Sequence, residues 1–412
     1  MRSLHGPGRC RRAPSSWNGA AARYNPQSVT RVYLDHNATT PLDPRARAAM
    51  LPWLGERWGN PSSIHREGQE AREAVEEARS RVAGLIGARP EEVIFVASGS
   101  EANNTVLAGA LPRLGAGGRV VISALEHPSV RASAHELESF GAKVTVVRPG
   151  RDGVVDAAAV EAALGDDTRL VCLMLASNEI GTLQPVTEVA RRCRERGVPI
   201  HCDAVQAAGK VPVRIDELGV DTLTLGAHKF HGPLGAAALW VRSGVELRPF
   251  LRGGGQERRR RASTENVAAI AGFGEAARCA ARELPARHAR LQALRDGFEA
   301  GLGAIDDVRV HCQGSPRLPN TSHFAVAGVE GEALTIRLDL AGFAVSTGSA
   351  CASGAVEPSP ALLAMGLSAQ EALSSLRVSF GMTNTEEEAD RFLTALGEEV
   401  AALRRLAPSV LR

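Results

Sequence analysis

The sequence has few aromatic residues, no long apolar run and almost no net charge. Aromatic residues make up 4% of the 412 residues, and the formal net charge is +2. A charge this small argues against binding to a polyanion, so we expect no direct nucleic-acid partner. No apolar run approaches the roughly 20 residues of a membrane-spanning helix, so we expect no membrane partner either. The length suits two domains of a globular protein.

Disulfide frameworks and zinc sites are also missing from the sequence. The seven cysteines are an odd number, are widely scattered and include no C-x-x-C pair. This spacing excludes a disulfide-stabilised secreted domain and a structural zinc site, and we expect no metal. Unpaired cysteines indicate a reducing compartment, so we expect a cytoplasmic location. A single cysteine can be chemically active there.

Residues 1–30 differ in composition from the rest of the chain. They are rich in Arg, Ser and Gly, contain no acidic residue and show no helical or strand periodicity. These properties favour a disordered basic tail, with a transit segment or residues upstream of the true start as alternatives. We expect no catalytic residue in this segment.

From residue 32 onward, short apolar segments alternate with amphipathic ones. Strands are predicted at residues 91–96, 119–123, 143–147, 170–175, 199–202 and 221–225. Alternation of this kind predicts an α/β protein with a large, doubly wound, mostly parallel sheet and a site at the carboxyl ends of its strands. After about residue 265 a long Ala- and Arg-rich helix leads into a smaller α/β unit. We therefore predict an N-terminal segment that joins the small domain, a large cofactor-binding domain and a small C-terminal domain, at residues 31–45, 46–285 and 286–412.

A lysine follows the last strand of the predicted large sheet. Lys229 lies in D-T-L-T-L-G-A-H-K-F-H-G-P-L-G, between an apolar run and several glycines. Burial there would disfavour the ammonium form and make the amine a better nucleophile towards a carbonyl group. A lone lysine of this kind is more often an ordinary surface residue. Asp203, however, ends a neighbouring predicted strand, and the carboxyl ends of parallel strands meet at one edge of a sheet.

Small residues at the start of a predicted helix add a possible phosphate site. The backbone N–H groups and hydroxyls of Ser98, Gly99 and Ser100 could hold a phosphate, although a simple helix N-cap is an equally good interpretation. An acid and a lysine at adjacent strand ends, together with a phosphate cradle, describe a pyridoxal phosphate site. Residues 253–266 offer further anion contacts in Arg261 and Thr264, with a mobile basic loop as the alternative.

The motifs of this sequence resemble those of the NifS-like cysteine desulfurases. These enzymes belong to the fold-type-I pyridoxal-phosphate enzymes, which are also called class V aminotransferases. The matching stretches run from Tyr33 to about residue 390. In chain order they are Y-L-D-H-N-A-T-T-P, G-N-P-S-S-I-H, E-H-P, S-N-E-I-G, H-C-D-A-V-Q, A-H-K-F-H-G-P and S-T-G-S-A-C-A-S-G-A-V-E-P-S.

The resemblance implies that the cofactor is pyridoxal 5'-phosphate and assigns its contacts. Lys229 would bind the cofactor aldehyde, and Asp203 would pair with the pyridine nitrogen. His127 would stack on the ring and move substrate protons. The remaining cofactor contacts would be made by Gly99, Ser100, Asn178, Gln206, His228 and, from the second subunit of a homodimer, Thr264.

The resemblance also implies a substrate, a product and a partner. Arg377 would clamp the substrate carboxylate through its guanidinium fork, with Asn178 and Asn37 as further substrate contacts. Cys351, on a mobile loop of small residues in the small domain, would take sulfur from L-cysteine as a persulfide and release L-alanine. The sulfur would pass to an acceptor protein, either an iron–sulfur scaffold or a thiolation enzyme.

Other activities remain open, and the sequence departs from the family pattern in one cofactor contact. A selenocysteine lyase or another class V aminotransferase or lyase would share the cofactor site without needing Cys351. A relative without turnover would be expected to lose Lys229 or Cys351, and both are present. Gly226 stands where many relatives have a serine that contacts the phosphate, and Arg259 and Arg260 make the nearby loop unusually basic.

Overall fold

The structure is a computed structural model that describes residues 31–115, 117–347 and 357–406. The predicted basic tail at residues 1–30 and the predicted sulfur acceptor Cys351 lie outside the described residues. The strands are β1 Val32–Tyr33, β2 Val93–Val96, β3 Arg119–Ser123, β4 Lys143–Val147, β5 Thr168–Cys172, β6 Ile200–Asp203, β7 Thr222–Gly226, β8 Ala237–Val241, β9 Val308–Val310, β10 Thr321–Val326, β11 Phe343–Ala344 and β12 Ser375–Ser379.

The helices alternate with these strands along most of the chain. They are α1 Pro44–Leu54, α2 Arg66–Ile86, α3 Gly99–Leu114, α4 Pro128–Glu136, α5 Ala157–Ala163, α6 Val186–Glu195, α7 Ile215–Leu218, α8 Gln256–Arg259, α9 Val267–Leu302, α10 Gly331–Leu340, α11 Pro360–Ala364, α12 Ala369–Leu373 and α13 Glu386–Leu406.

Seven strands form one large sheet in the order β2-β8-β7-β6-β5-β3-β4. The pairs from β7 across to β4 are parallel, whereas β8 is antiparallel to both of its neighbours. The predicted α/β class with a mostly parallel large sheet is therefore confirmed. The reversal of β8 follows from chain length, because residues 227–236 are too few for the crossover of about a dozen residues that a parallel connection needs.

The buried strands of the large sheet place alternate residues in two separate cores. In β2, Val93 and Phe95 belong to one hydrophobic cluster, and Ile94 and Val96 belong to another. Successive side chains of a strand point to opposite faces, so a strand covered by helices on both sides must be apolar throughout. The sheet therefore has helices on both faces, as a doubly wound fold requires.

Two smaller sheets, the second half of a long helix and several shorter helices lie outside the large sheet. The strands β12, β10 and β9 pair antiparallel, and β1 pairs with β11 in parallel. The helix α9 packs its first half on the core of the large sheet and its second half, from Leu291 onward, on the core of the small one. The predicted domain boundary at residue 285 lies inside this helix, at Pro285. The domain limits stay a prediction.

Four strands differ in their bounds from those predicted, and the strand predicted at 91–96 is Val93–Val96. The strand predicted at 170–175 is Thr168–Cys172, and the one predicted at 199–202 is Ile200–Asp203, so Asp203 is its last residue. The strand before Lys229 ends at Gly226, and Lys229 closes a tight 3-10 turn that begins at Ala227. Apolar residues continue past the paired part of a strand, so hydrophobicity alone does not show where pairing stops.

A buried ion pair holds the glycine- and arginine-rich loop against the large sheet. Arg79 donates to both carboxylate oxygens of Glu257 at 2.7 and 2.9 Å, and Glu257 also accepts from the backbone N–H of Phe95 at 2.9 Å. Glu257, Arg258 and Arg259 all have positive φ, between 45° and 64°. Each such non-glycine residue costs of order 1–3 kcal/mol, so the ion pair offsets local strain.

Among the residues that the structure describes, none of the helices combines the length and the apolarity that a membrane span needs.

Removing the carboxylate of this ion pair should destabilise the protein. Glu257→Ala leaves the buried Arg79 guanidinium with only the half-exposed Glu76 carboxylate as a counter-charge, and we expect the free energy of unfolding to fall by about 3–5 kcal/mol. Urea unfolding followed by circular dichroism measures the change. Glu70→Ala, which breaks the exposed Arg66–Glu70 pair, is the matched control and should cost less than about 1 kcal/mol. Equal costs for the two variants would contradict the stabilising role of the buried pair.

Candidate active site

A cavity of about 360 Å³ lies at the carboxyl edge of the large sheet. Its walls come from the segments that directly follow β2, β3, β5, β6 and β7, and from β12 of the small sheet. Ten of the predicted site residues line it together: Asn37, Gly99, Ser100, His127, Asn178, Asp203, Gln206, His228, Lys229 and Arg377.

Lys229 presents a desolvated amine to this cavity. Its Nζ donates to the backbone carbonyls of Asn37 and Ala38, both at 2.7 Å. Burial, and then the nearby positive charge of Arg377, lower the pKa of Lys229 to about 8. About a tenth of the amine is therefore uncharged at pH 7, far more than for an ordinary lysine, and carbonyl addition requires this uncharged form.

Asp203 and His127 face the same cavity from the ends of β6 and β3, which flank β5 in the sheet. The Asp203 carboxylate accepts from the Asn103 side chain at 2.8 Å and from the backbone N–H of Val205 at 3.0 Å. His127 caps the start of α4, where its Nδ1 accepts from the backbone N–H of Ser129 at 3.1 Å. Burial lowers the pKa of His127, although the Asp203 charge opposes the shift, so the imidazole is neutral at neutral pH.

The start of α3 supplies an anion site beside Lys229. Ser98 is the N-cap and accepts from the backbone N–H of Glu101, so the N-cap interpretation is correct for this residue. Gly99 and Ser100 open the helix and line the cavity, where helix N-termini favour negative charge. Arg261, a predicted anion contact, instead pairs with Glu101 at 2.8 Å.

His228 lies close to this anion site and carries no charge. Its pKa falls to about 4 because of burial and the positive charges of Lys229 and Lys210. The neutral ring shares a hydrogen bond of 3.1 Å with the Thr39 hydroxyl through Nδ1. A neutral imidazole can still donate one hydrogen bond to an anion through its other nitrogen.

Arg377 reaches the cavity from the three-stranded sheet. Its guanidinium donates to the Asp35 carboxylate at 2.6 Å and to the backbone carbonyl of Asn178 at 3.0 Å. Its Nε is buried without a hydrogen-bond partner in the described part of the chain. The remaining N–H groups of the guanidinium stay available for an acceptor in the cavity, which Arg377 lines.

Sequence reasoning missed a second lysine beneath the cavity. The Lys210 amine is buried and donates to the side-chain oxygens of Gln206 at 2.8 Å and Asn37 at 3.0 Å. Burial and the charge of Lys229 lower the pKa of Lys210 well below its usual value. One available signal was its rarity, because the chain has three lysines, at 143, 210 and 229.

The hydrogen bonds of Asn37 and Gln206 go mainly to the protein. The Asn37 amide contacts Lys210, Asn320 and Thr321, and the Gln206 amide nitrogen donates to the Asn37 backbone carbonyl at 2.8 Å. Both residues line the cavity, and their predicted contacts to substrate and cofactor stay predictions.

Two predicted residues are not among those that line the cavity. Thr264 is exposed on the surface, and its proposed reach to the phosphate of a second subunit stays a prediction. Cys351 lies outside the described residues. The described chain on either side of it contacts the site: the Ser346 backbone exchanges hydrogen bonds with that of Arg377, and the Ser359 hydroxyl donates to Glu179, next to Asn178.

The donor and acceptor set of the cavity fits pyridoxal phosphate. An uncharged amine suits the aldehyde, a buried carboxylate suits a protonated pyridine nitrogen, and a helix N-terminus suits the phosphate. The guanidinium of Arg377, which lines the cavity, adds donors for a substrate carboxylate. The residues present therefore match both an aldehyde-bearing aromatic phosphate and an amino acid.

The lowered pKa of Lys229 predicts its reactivity in the cofactor-free protein. The amine is charged and unreactive below its pKa, so labelling by acetic anhydride should rise with pH through a midpoint near 8. Mass spectrometry of tryptic peptides measures the labelled fraction of Lys229 at each pH. Labelling of the exposed Lys143 in the same sample is the reference for the activity of the reagent. A midpoint near the ordinary lysine value of about 10.4 would contradict the desolvated amine.

Comparisons with known proteins agree with this geometry. The profile of the family described as aminotransferase class-V matches residues 32–392. The chain is 43% identical to a cysteine desulfurase IscS of Dictyoglomus turgidum, over 92% of this chain and 96% of that protein. It is 42% identical to a cysteine desulfurase of Gluconacetobacter diazotrophicus, over 92% and 95% of the two chains.

Solved structures show the same similarity. A NifS-like protein aligns at a TM-score of 0.85 and 35% identity, covering 91% of this chain and 100% of its own. A NifS-like protein from Rickettsia africae aligns at a TM-score of 0.82 and 31% identity, covering 90% and 100% of the two chains. The enzymes of this family depend on pyridoxal phosphate, and the predicted cofactor is thereby confirmed. The chain belongs to the class V aminotransferase family, in its NifS-like group of cysteine desulfurases.

Proposed function

We propose that this protein is a pyridoxal-phosphate-dependent L-cysteine desulfurase. The observation that carries the proposal is the meeting of Lys229, Asp203, His127 and Arg377 around one cavity, with the chain on both sides of Cys351 anchored beside it. Relatives named cysteine desulfurase match more than nine-tenths of the chain. When bound, pyridoxal phosphate would supply an aldehyde for the substrate amine and a ring that withdraws electrons from the α-carbon.

The residues around the cavity divide the work of binding and proton transfer. Arg377 would hold the substrate carboxylate through the guanidinium that Asp35 already orients. Lys229 would bind the cofactor and, once displaced by the substrate amine, would take the α-proton and later return a proton. Its pKa of about 8 suits both directions, because proton transfer works best when the pKa lies near the working pH.

Cys351 would accept the sulfur in a balanced exchange. Its thiolate attacks the substrate sulfur, the carbon–sulfur bond breaks, and its electron pair passes to the carbon that becomes the alanine methyl group. L-Cysteine and the Cys351 thiol thus give L-alanine and a Cys351 persulfide, with no external oxidant or reductant. The thiolate is required because the thiol is a poor nucleophile.

The position of Cys351 in the chain allows this attack. Five residue steps separate it from Ser346, which lines the cavity. A chain of that length spans at most about 18 Å when fully extended. The Cys351 sulfur can therefore reach the cavity from the described anchor.

We also propose a homodimer in which Thr264 contacts the phosphate of the other subunit, and an acceptor protein that takes the persulfide sulfur. Thr264 is exposed and lies outside the cavity of its own chain, as a residue that serves a second copy must. The described cysteines are free thiols, at positions 172, 193, 202, 279 and 312. Free thiols support the proposed reducing, cytoplasmic location.

Replacing Cys351 should separate cofactor chemistry from sulfur transfer. Cys351→Ser keeps the size but presents a hydroxyl, which is a poor sulfur acceptor at neutral pH. We expect the variant to bind pyridoxal phosphate and to change its visible absorbance on mixing with L-cysteine, while alanine release falls at least about a hundredfold.

The partly buried Cys312 is the control for this test. Cys312→Ser should form alanine at nearly the wild-type rate, because its thiol lies outside the residues that line the cavity. Near-normal alanine release by Cys351→Ser would overturn the proposal and favour a selenocysteine lyase or another class V lyase that needs no acceptor thiol.

Adding a hydroxyl at Gly226 should strengthen cofactor retention. A Cβ at this position would lie 3.1 Å from a Val205 methyl, so that side chain must shift by a few tenths of an ångström. A hydrogen bond to a charged group contributes about 1.5–3 kcal/mol, so we expect Gly226→Ser to slow cofactor loss about tenfold or more. Gly226→Ala adds the Cβ without the hydroxyl. Equal loss rates for the two variants would show that the hydroxyl does not reach the phosphate.

A further inference from the structure

The Asp203 carboxylate determines how a chain of hydrogen bonds behind the cavity is oriented. A carboxylate only accepts hydrogen bonds, so the Asn103 atom 2.8 Å from Asp203 Oδ2 must be the amide nitrogen. The Asn103 oxygen then faces His201 Nε2 at 3.0 Å, which makes that ring nitrogen the donor. His201 Nδ1 is left to accept from the Thr222 hydroxyl at 2.8 Å. Burial lowers the pKa of His201 to about 4, in agreement with this neutral form.

The same Asn103 side-chain amide also determines the direction of the hydrogen bonds to His127. The second hydrogen of the Asn103 amide goes to the Ser129 hydroxyl oxygen at 3.0 Å. Since that oxygen accepts, its own hydrogen is available for His127 Nδ1, 2.8 Å away. The backbone N–H of Ser129 donates to the same Nδ1 at 3.1 Å.

Two donors pointing at Nδ1 leave no room for a proton on that nitrogen. We propose that Asn103 and Ser129 are positioning residues that hold His127 as the neutral tautomer with its proton on Nε2, the ring nitrogen left to the cavity. This deepens the proposed function and rests on it only for the part that His127 plays in the reaction. In this tautomer His127 enters the reaction as a hydrogen-bond donor, because a base would need a bare nitrogen facing the cavity.

Charged neighbours alter the protonation of His127 in opposite directions. Burial opposes the charged ring most strongly. Asp203 favours the charged ring, while Lys229 and Arg131 oppose it. To protonate Nδ1, the Ser129 hydroxyl must also turn its hydrogen away from the ring. Its removal should therefore ease protonation.

The test uses cofactor-free protein labelled with ¹⁵N-histidine, so it needs no turnover. We expect His127 to show an unprotonated, pyridine-like Nδ1 and a protonated, pyrrole-like Nε2, with the signal assigned by its loss in His127→Gln. His135, on the same helix, is the internal control: its Nδ1 faces the Glu138 carboxylate at 3.0 Å and must carry the proton if the ring is neutral. A protonated Nδ1 on wild-type His127 at neutral pH would overturn the proposal.

A Ser129 variant then tests whether the Ser129 hydroxyl affects the protonation of His127. Ser129→Ala removes one hydrogen bond to Nδ1, and the pH midpoint of His127 should rise by about 0.4–1 unit. Ser133→Ala, on the same helix, removes a hydroxyl that donates to Asn104 at 2.8 Å and should leave the midpoint unchanged. An unchanged midpoint in Ser129→Ala would contradict the role of Ser129, and if that variant does not fold, the wild-type spectrum still decides the tautomer.

The two proposals can fail separately. An inactive enzyme with Nδ1 unprotonated would contradict the desulfurase function and leave the tautomer standing. An active desulfurase with Nδ1 protonated would contradict the tautomer and leave the function standing.

Discussion

The parallel pairing of β6 with β7 is the constraint on which the site depends. It sets Asp203 opposite Thr224, two residues before the end of β7. The tight turn after Gly226 then returns Lys229 towards the acid instead of away from the sheet. Because parallel strands end at one edge of the sheet, the polar residues that follow β2, β3 and β5 line the same cavity.

Distant segments complete the site by supplying acceptors for its buried donors. The carbonyls of Asn37 and Ala38, almost 200 residues before Lys229, accept from its amine. Arg377 crosses from the small sheet to Asp35 and Asn178. A buried polar group without a partner is costly, so these long-range hydrogen bonds both position the catalytic groups and join the small sheet to the large one.

Buried charges are arranged so that few lie unpaired. Arg79 and Glu257 neutralise each other and hold a strained loop, whereas Lys210 and Lys229 respond to burial by a lowered pKa. These are the two ways in which a protein can bury an ionisable group: it is paired with an opposite charge or its neutral form is favoured. The second way, in which the neutral form is favoured, makes the Lys229 amine a nucleophile.

The sequence by itself determined the alternation of strands and helices, the class of fold and the polar residues that follow each strand, because these depend on local periodicity. The positions of Lys229 and Asp203 at strand ends indicated a site, and the family resemblance added His127 and Arg377 to it. Only the tertiary structure decided which atoms meet. The burial of Lys210 and the orientation of Asn103 depend on contacts between residues far apart in the chain, and local pattern does not encode the direction of a hydrogen bond.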